Sequence, residues 1–367
     1  MLENRRMTYA VSGVDMEEED RAMKLIKPLL QETCSYRKTT LGECVTTIGH
    51  FAGIVKLDNK LGLAMKTDGV GTKVFIAQLL QKYDTIGIDC VAMNVNDIIC
   101  TGAEPVSFVD YIATQKLKAE MIEQIVRGLK EGAKIARISI SGGETAQLPE
   151  IVLGLGGRGF DLVGMCTGIV RLDKIIDGHS VKDGDVLLGL PSSGLHSNGY
   201  TMARRVLLDG MHFELNKWFE EFGRTLGEEL LEPTYIYVPE ILEILKANLE
   251  IKLLAHITSR GFLNLHRVGK GYGYIIDYLP EPQPIFRLIQ KCGNSSDEEM
   301  YHRFNMGVGM CMVVSKDTAD DVEQIVGKHK KEVFTLGRAK KDPERKIDVK
   351  PLKMVGDPRT GVFKKYA

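Results

Sequence analysis

The chain predicts two domains of α/β or α+β layer type, and three observations carry that prediction. Strand-like and helix-like periodicities alternate along its 367 residues, as they do where helices cover sheets. A polar, turn-rich stretch at 171–185 interrupts the alternation near the middle. The length is also enough for two ordinary hydrophobic cores. The expected division is an N-terminal domain over 1–172, a C-terminal domain over 173–345 and a tail over 346–367.

The elements follow in order. Asp15 and Glu18 are spaced as a capping box, opening a helix whose apolar face carries Ala22, Ile26, Leu29 and Leu30. Strands are expected at 51–57 and 61–66, joined by an Asp-Asn-Lys turn. Residues 84–103 show helical spacing at Ile88, Val91, Val95 and Ile98, with Asn94 and Asp97 on a common side. A strand at 105–114 precedes a helix marked by Met121, Ile122, Ile125, Val126 and Leu129. Strands at 138–141 and 160–170 flank a glycine-rich loop. In the second half, strands are expected at 186–190, 252–257, 274–278, 308–314 and 332–336, with a helix over 198–208. The basic run after Ala339 reads as a solvated end.

Composition narrows the function classes. A formal net charge of −1 argues against a general nucleic-acid binder, which carries a basic excess. The apolar share of 44% and charged share of 26% are those of a globular protein, and no apolar run is long enough for a membrane span. The N-terminal residues lack the apolar core of a signal peptide, and the pattern becomes organised only after Met7. Seven cysteines include no C-x-x-C pair, and several lie in apolar runs as reduced thiols do, which points to the cytoplasm.

Five segments carry chemistry. Thr67-Asp68-Gly69-Val70-Gly71-Thr72-Lys73 ends an apolar run with a carboxylate for a metal, glycines for close backbone approach and a lysine for phosphate. It lacks P-loop spacing, and taken alone it also reads as a turn. Asn94-Val-Asn-Asp97 places amides and a carboxylate in an apolar helix, where polar groups need partners. Ser141-Gly142-Gly143-Glu144-Thr145 follows a strand as a glycine-opened turn that offers Glu144 to a metal. Ser192-Ser193-Gly194-Leu195-His196-Ser197-Asn198-Gly199-Tyr200 sets hydroxyls, an imidazole and an amide between glycines. Phe304-Asn-Met-Gly-Val-Gly309 leads into an apolar strand, and its glycines read first as close packing.

In this order, with Tyr9–Asp15, Gly102-Ala-Glu-Pro105 and His256-Ile-Thr258, the set resembles the aminoimidazole ribonucleotide synthetase (phosphoribosylformylglycinamidine cyclo-ligase) family across nearly the whole chain. Single members also occur in thiamine-monophosphate kinase, selenophosphate synthetase and formylglycinamidine ribonucleotide synthetase. The resemblance implies an enzyme of purine biosynthesis that uses ATP and magnesium to close the imidazole ring of formylglycinamidine ribonucleotide. It also implies a homodimer in which the mixed sheets of two N-terminal halves pair into a barrel, with a sandwich-like C-terminal α/β domain. Residue by residue, it gives Asp68, Asp97 and Glu144 to the metal. The nucleotide takes Gly69, Gly71, Thr72, Lys73, Asn94, Gly142, Gly143 and the loop from Gly49 to Gly53. The substrate takes Ser193, Gly194, Ser197, His256, Thr258 and Arg260, and His196, Asp68 and Asn198 are the catalytic candidates.

Two departures stand out. The loop Ile48-Gly-His-Phe-Ala-Gly53 is poorer in glycine than in many relatives, and Ser259-Arg260 stand where the family usually has two glycines. Arginine there either contacts a substrate phosphate or remodels the pocket. The competing readings are a small-molecule kinase of the same superfamily and a catalytically silent ATP-binding relative.

Overall fold

The computed structural model describes residues 16–366, so Asp15 of the expected capping box and the segment from Tyr9 to Asp15 lie outside the described residues. The described residues open with α1 (Met16–Thr33), whose Leu25, Ile26, Leu29 and Leu30 are all exposed. Then come β1 (Gly53–Lys56), β2 (Leu61–Gly69), α2 (Val74–Leu80) and α3 (Asp84–Ile99). β3 (Glu104–Thr114), α4 (Ala119–Ala136), β4 (Ser139–Gln147) and β5 (Phe160–Arg171) complete the first sheet, ordered β1-β2-β5-β3-β4. All its pairings are antiparallel except β3 with β4.

Among the described residues, one face of this sheet is covered and the other is not. The even residues of β5, from Phe160 to Val170, are mostly buried under α3, while Asp161, Met165 and Arg171 on the other face are exposed. The period of two in burial is what a half-covered strand requires. α4 packs on α3 through glycine. A Cβ at Gly128 would fall 2.0 Å from the Asp84 carbonyl oxygen, and one at Gly87 2.3 Å from that of Ile125. The two backbones therefore nearly touch, and α3 is pressed so deep that thirteen of its sixteen residues are buried.

The second half builds a larger sheet. Its elements are β6 (Val186–Pro191), α5 (Tyr200–Arg204), the short pair β7 (Trp218–Phe219) and β8 (Arg224–Thr225), α6 (Leu226–Leu230), α7 (Val238–Lys246) and β9 (Leu253–His256). Next are β10 (Tyr272–Ile276), α8 (Pro284–Gly293), α9 (Asp297–Arg303), β11 (Val308–Val314), α10 (Lys316–Lys328) and β12 (Phe334–Lys341). β13 (Ile347–Val349), β14 (Met354–Asp357) and β15 (Val362–Lys365) extend the sheet to the order β15-β14-β13-β10-β12-β6-β11-β9.

Four sequence expectations are corrected here. The solvated tail is instead part of the sheet: Ile347, Val349, Met354 and Phe363 are buried apolar side chains spaced along β13–β15. The turn expected at Ser141–Thr145 is mid-strand, with Gly142, Gly143 and Glu144 paired to Val109, Asp110 and Tyr111 of β3. The helix expected over 198–208 is α5 followed by a π-helical turn at Arg205–Gly210. Cys34 and Cys44 are joined by a disulfide across ten residues, whereas Cys90, Cys100, Cys166 and Cys311 are buried free thiols, as the apolar runs around them imply.

Candidate active site

α3 is the shared wall of the two domains, and its polar residues are spent there. Asp89 Oδ1 accepts from the Thr234 backbone N–H at 2.8 Å and from its hydroxyl at 2.6 Å. Asn96 donates to the Tyr235 carbonyl oxygen at 2.8 Å and accepts from the Tyr237 N–H at 3.0 Å. Asp97 Oδ1 meets His256 Nδ1 at 2.9 Å, at the end of β9. A run of carboxylates and amides in an apolar helix thus finds its partners on the other domain, which offsets the cost of burying them.

Asp68, at the end of β2, faces the same place. Its Oδ1 accepts from the Gly69 N–H at 2.8 Å, and its carbonyl oxygen accepts from Asn94 Nδ2 at 3.2 Å. The Lys66 ammonium lies 3.3 Å from Asp68 Oδ2 and 2.8 Å from Asp97 Oδ2. Burial pushes the Asp68 carboxyl up. Burial acts on Asp97 in the same sense, but the His256 hydrogen bond and the charges of Lys66 and Arg267 outweigh it and hold that carboxyl at about 2. The loop from Gly49 to Gly53 lies nearby: His50 Nε2 donates to the Ile176 carbonyl oxygen, and the Arg267 guanidinium stacks 4.7 Å from the Phe51 ring.

His256 is fully buried, with Nδ1 on Asp97 and, among the described residues, no partner for Nε2. Nδ1–H donates to the Asp97 carboxylate, so the neutral ring presents its lone pair at Nε2. His196 is arranged the other way. Its Nε2 accepts from the Ser193 N–H at 3.2 Å, so Nδ1 carries the proton and has no partner among the described residues. Its backbone sits at φ +60°, its ring packs between Tyr235 and Tyr237, and burial holds its pKa well below the ordinary range. Gly309 makes room for it: a Cβ there would lie 2.6 Å from His196 Cε1 and 2.0 Å from the Tyr237 hydroxyl.

The loop before α5 is held from below by the Phe304–Gly309 motif. Ser192 donates to Asn305 Oδ1, and Asn305 Nδ2 donates to the Gly194 carbonyl oxygen, both at 2.8 Å. Ser193 donates to the Pro233 carbonyl oxygen, Ser197 pairs with Thr234, and Thr72 pairs with Thr201. Asn198 Oδ1 accepts from Ser259 at 3.0 Å, while its buried Nδ2 has no partner among the described residues. Thr258 and Arg260 are half-buried beside this contact, and Arg260 holds φ +73°, the left-handed region that suits glycine. Gly71 also has positive φ, at +69°.

Two expected ligands are elsewhere. Lys73 is fully buried: its ammonium lies 2.7 Å from Asp89 Oδ2 and also donates to the carbonyl oxygens of His196 and Glu232. Its charge serves the domain contact and does not face an open phosphate site. Glu144 is exposed on β4, three strands from β2, or ~14 Å at the usual strand spacing. The register Asp68–Gly164–Asp110–Gly143 puts Glu144 on the opposite face of the sheet from Asp68. Gly142 and Gly143 share that edge strand. Among the described residues no three His, Cys, Asp or Glu side chains converge as a metal site. The donor set still fits magnesium, which takes one or two carboxylates and completes its shell with phosphate oxygens and water. Sequence reading missed Lys66, Asp89 and Arg267. Asp89 was within reach, since it stands in the same apolar helical run as Asn94 and Asp97.

This arrangement can be set beside known proteins. The family models for AIR synthase related protein match its N-terminal domain at residues 49–170 and its C-terminal domain at 182–350. The chain belongs to the AIR synthase family. It is 44% identical over 334 residues to a Methanocaldococcus jannaschii protein named phosphoribosylformylglycinamidine cyclo-ligase, covering 90% of this chain and 92% of that one. It is 46% identical to a Methanosarcina barkeri protein of the same name, covering 89% and 94%. Among solved structures, AaThiL complexed with AMPPCP and TMP aligns with a TM-score of 0.61 at 16% identity, over 90% of this chain and 93% of that one. T. maritima PurL complexed with ADP aligns with a TM-score of 0.57 at 16% identity, and the chain spans about half of its length (87% and 47%). These two likenesses are of fold.

Proposed function

We propose that the chain is an ATP-dependent phosphoribosylformylglycinamidine cyclo-ligase, closing formylglycinamidine ribonucleotide to aminoimidazole ribonucleotide with release of ADP and phosphate. One observation carries the reading: Asp68, Asp97 and His256 converge where the two domains meet, in a chain whose relatives of that name match it over about nine-tenths of its length. The chemistry needs such a place. An amide oxygen is a poor leaving group, so it attacks the γ-phosphorus and ADP departs. The amidine nitrogen then attacks the activated carbon, and phosphate leaves with the former amide oxygen. Holding both groups in one pocket makes this second step effectively unimolecular.

The residues divide the work. Asp68 and Asp97 would hold magnesium through their Oδ2 atoms, and the ion would spread charge on the transferring phosphoryl group. The unpartnered Nε2 of His256 is the atom best suited to take the proton from the attacking nitrogen, with Asp97 stabilising the imidazolium. His196 serves as a neutral donor. Gly69, Gly71 and the loop from Gly49 to Gly53 line the nucleotide, and Ser193, Asn198, Thr258 and Arg260 meet the substrate. Neither Lys73 nor Glu144 belongs to this set within one protomer.

The protein works as a homodimer in the cytoplasm. The dimer is supported by the uncovered sheet face, where Val109, Tyr111 and Met165 are exposed together, as apolar surface is at subunit contacts. The cytoplasm is supported by four buried free thiols, and the Cys34–Cys44 bond is the one feature that runs against it.

The test is product formation from formylglycinamidine ribonucleotide and ATP, beside thiamine monophosphate as the kinase control. Aminoimidazole ribonucleotide with one ADP per turnover supports the reading. Absence of that product while ATP still binds defeats it, and phosphorylated thiamine would favour the kinase.

A further inference from the structure

Lys66 is out of place for a strand residue of its kind. β2 turns Gly62, Ala64, Lys66 and Asp68 toward α3, and the two residues before Lys66 in that row are small and buried. Lysine is rarely put on a covered face unless it is paired. Here the pairing is specific. Each carboxylate has one oxygen held by the protein, Asp68 Oδ1 by the Gly69 N–H and Asp97 Oδ1 by His256. The remaining oxygen of each converges on the Lys66 ammonium, at 3.3 and 2.8 Å. One tethered positive charge therefore lies on the two oxygens that a divalent cation would need.

We propose that Lys66 competes with the divalent cation for Asp68 and Asp97, so that this pair accepts the ion only together with nucleotide phosphates. The inference rests on the assignment of Asp68 and Asp97 to the metal made above. Two carboxylate oxygens that share one ammonium, which offsets half of their charge and occupies both, are a poor site for a bare divalent ion. A bound triphosphate supplies further oxygens and negative charge, and then the ion outcompetes the lysine. The ammonium swings aside on its four-carbon stem, with its proton count unchanged. The device keeps the free enzyme from holding metal that would misplace an incoming nucleotide. It also couples metal to nucleotide binding, a coupling that must be reciprocal.

The experiment titrates the full-length protein with Mn2+, read by the electron paramagnetic resonance signal of the free ion, with and without the non-hydrolysable analogue AMPPCP. Wild type is expected to bind Mn2+ weakly alone and at least tenfold more tightly with AMPPCP. Lys66→Met is expected to bind bare Mn2+ at least tenfold more tightly than wild type, with a correspondingly smaller gain from AMPPCP. Equal or weaker bare affinity in Lys66→Met overturns the competition. So does weakened AMPPCP binding with Mn2+ affinity unchanged, which would make Lys66 a phosphate ligand. If wild type binds no Mn2+ even with AMPPCP, the metal assignment itself fails, an outcome distinct from a failure of the lysine's role. Should Lys66→Met not fold, Lys66→Gln replaces it. Lysine acetylation of the wild type, followed by mass spectrometry, gives a second reading. Lys66 should become more reactive with Mn2+ and AMPPCP together than with either alone, and unchanged reactivity overturns the proposal.

Discussion

Asp97 on α3 of the first domain and His256 at the end of β9 in the second share a hydrogen bond of 2.9 Å between Oδ1 and Nδ1. The pair is one of several contacts that join the domains, and among the described residues it leaves His256 Nε2 unpartnered at their junction.

Asp97→Asn is therefore expected to damage both stability and turnover. The Asp97 carboxyl is lowered from 3.8 to about 2 in the folded chain. A lowered acid contributes stability that is fully present above the unfolded value and is lost as pH falls through the folded one. The shift corresponds to about 2 kcal/mol at pH 7. Urea melts should show Asp97→Asn weaker than wild type by about that amount at pH 7, with the gap closing between about pH 4 and pH 2. Turnover should fall about 100-fold or more, because an amide neither holds magnesium nor stabilises the imidazolium. An unchanged kcat would remove Asp97 from the chemistry.

The buried Lys73–Asp89 pair gives a sharper mutational signature. Removing one partner leaves a buried charge alone, so Lys73→Met should cost about 3–5 kcal/mol in chemical denaturation. The double variant Lys73→Met with Asp89→Asn should recover most of that loss, because Asn still accepts from Thr234. ATP affinity in the double variant, measured by calorimetry, should stay within a few-fold of wild type. A large loss would return Lys73 to the phosphate site.

The contrast between Lys73 and Asp68 shows what a sequence can reveal. Both stand in one seven-residue motif, and residue type alone assigns both to a metal–triphosphate complex. Depth separates them: the strand ends at Gly69, a turn over Gly71–Lys73 follows, and the lysine passes under the loop before α5. No local pattern encodes that. The turn expected around Glu144 was misread for a related reason. Two glycines suggested a turn, but the strand runs through them, and the pleat carries Glu144 to the uncovered face. Asp97 stood out because polar residues in an apolar helix are costly unless matched, whereas His256 entered only through the family resemblance, and no local pattern paired the two. Lys66 and Asp68 share a face by strand periodicity, but only the register of β2 against the buried positions of β5 shows that this face is the covered one. The strands after Ala339 were hidden by their charge: single apolar residues between lysines do not announce a strand until the sheet beside them is known.

His196 yields a pH test that does not depend on activity. Burial depresses its pKa well below the ordinary 6.5, so the folded chain keeps it neutral. The unfolded chain takes up a proton below about 6.5, and stability is lost as pH falls from there. For a fully buried histidine the loss is about 2 kcal/mol between pH 7 and pH 5. In His196→Asn this share of the acid-side loss should vanish. Melts of variant and wild type at pH 7, 6 and 5 should therefore converge as pH falls. Parallel curves would show that His196 titrates normally in the folded protein.

Two glycines separate packing from backbone entropy. A Cβ at Gly309 would lie 2.0 Å from the Tyr237 hydroxyl, which itself donates to the Pro191 carbonyl oxygen at 2.7 Å. That hydroxyl sits on a ring packed against His196 and cannot swing away as the tip of a surface lysine could. Gly309→Ala should thus cost about 1–3 kcal/mol, the usual range for overpacking a core, and should lower turnover by displacing His196. Gly327, on the exposed side of α10, has no atom within 4 Å of an added Cβ. Gly327→Ala should stabilise the chain by about 0.5–1 kcal/mol, because alanine loses less backbone freedom on entering a helix. Thermal melts of the two variants should move in opposite directions. If Gly309→Ala melts like wild type, the loop carrying His196 is looser than its contacts imply, and His196 is not held in place as a donor.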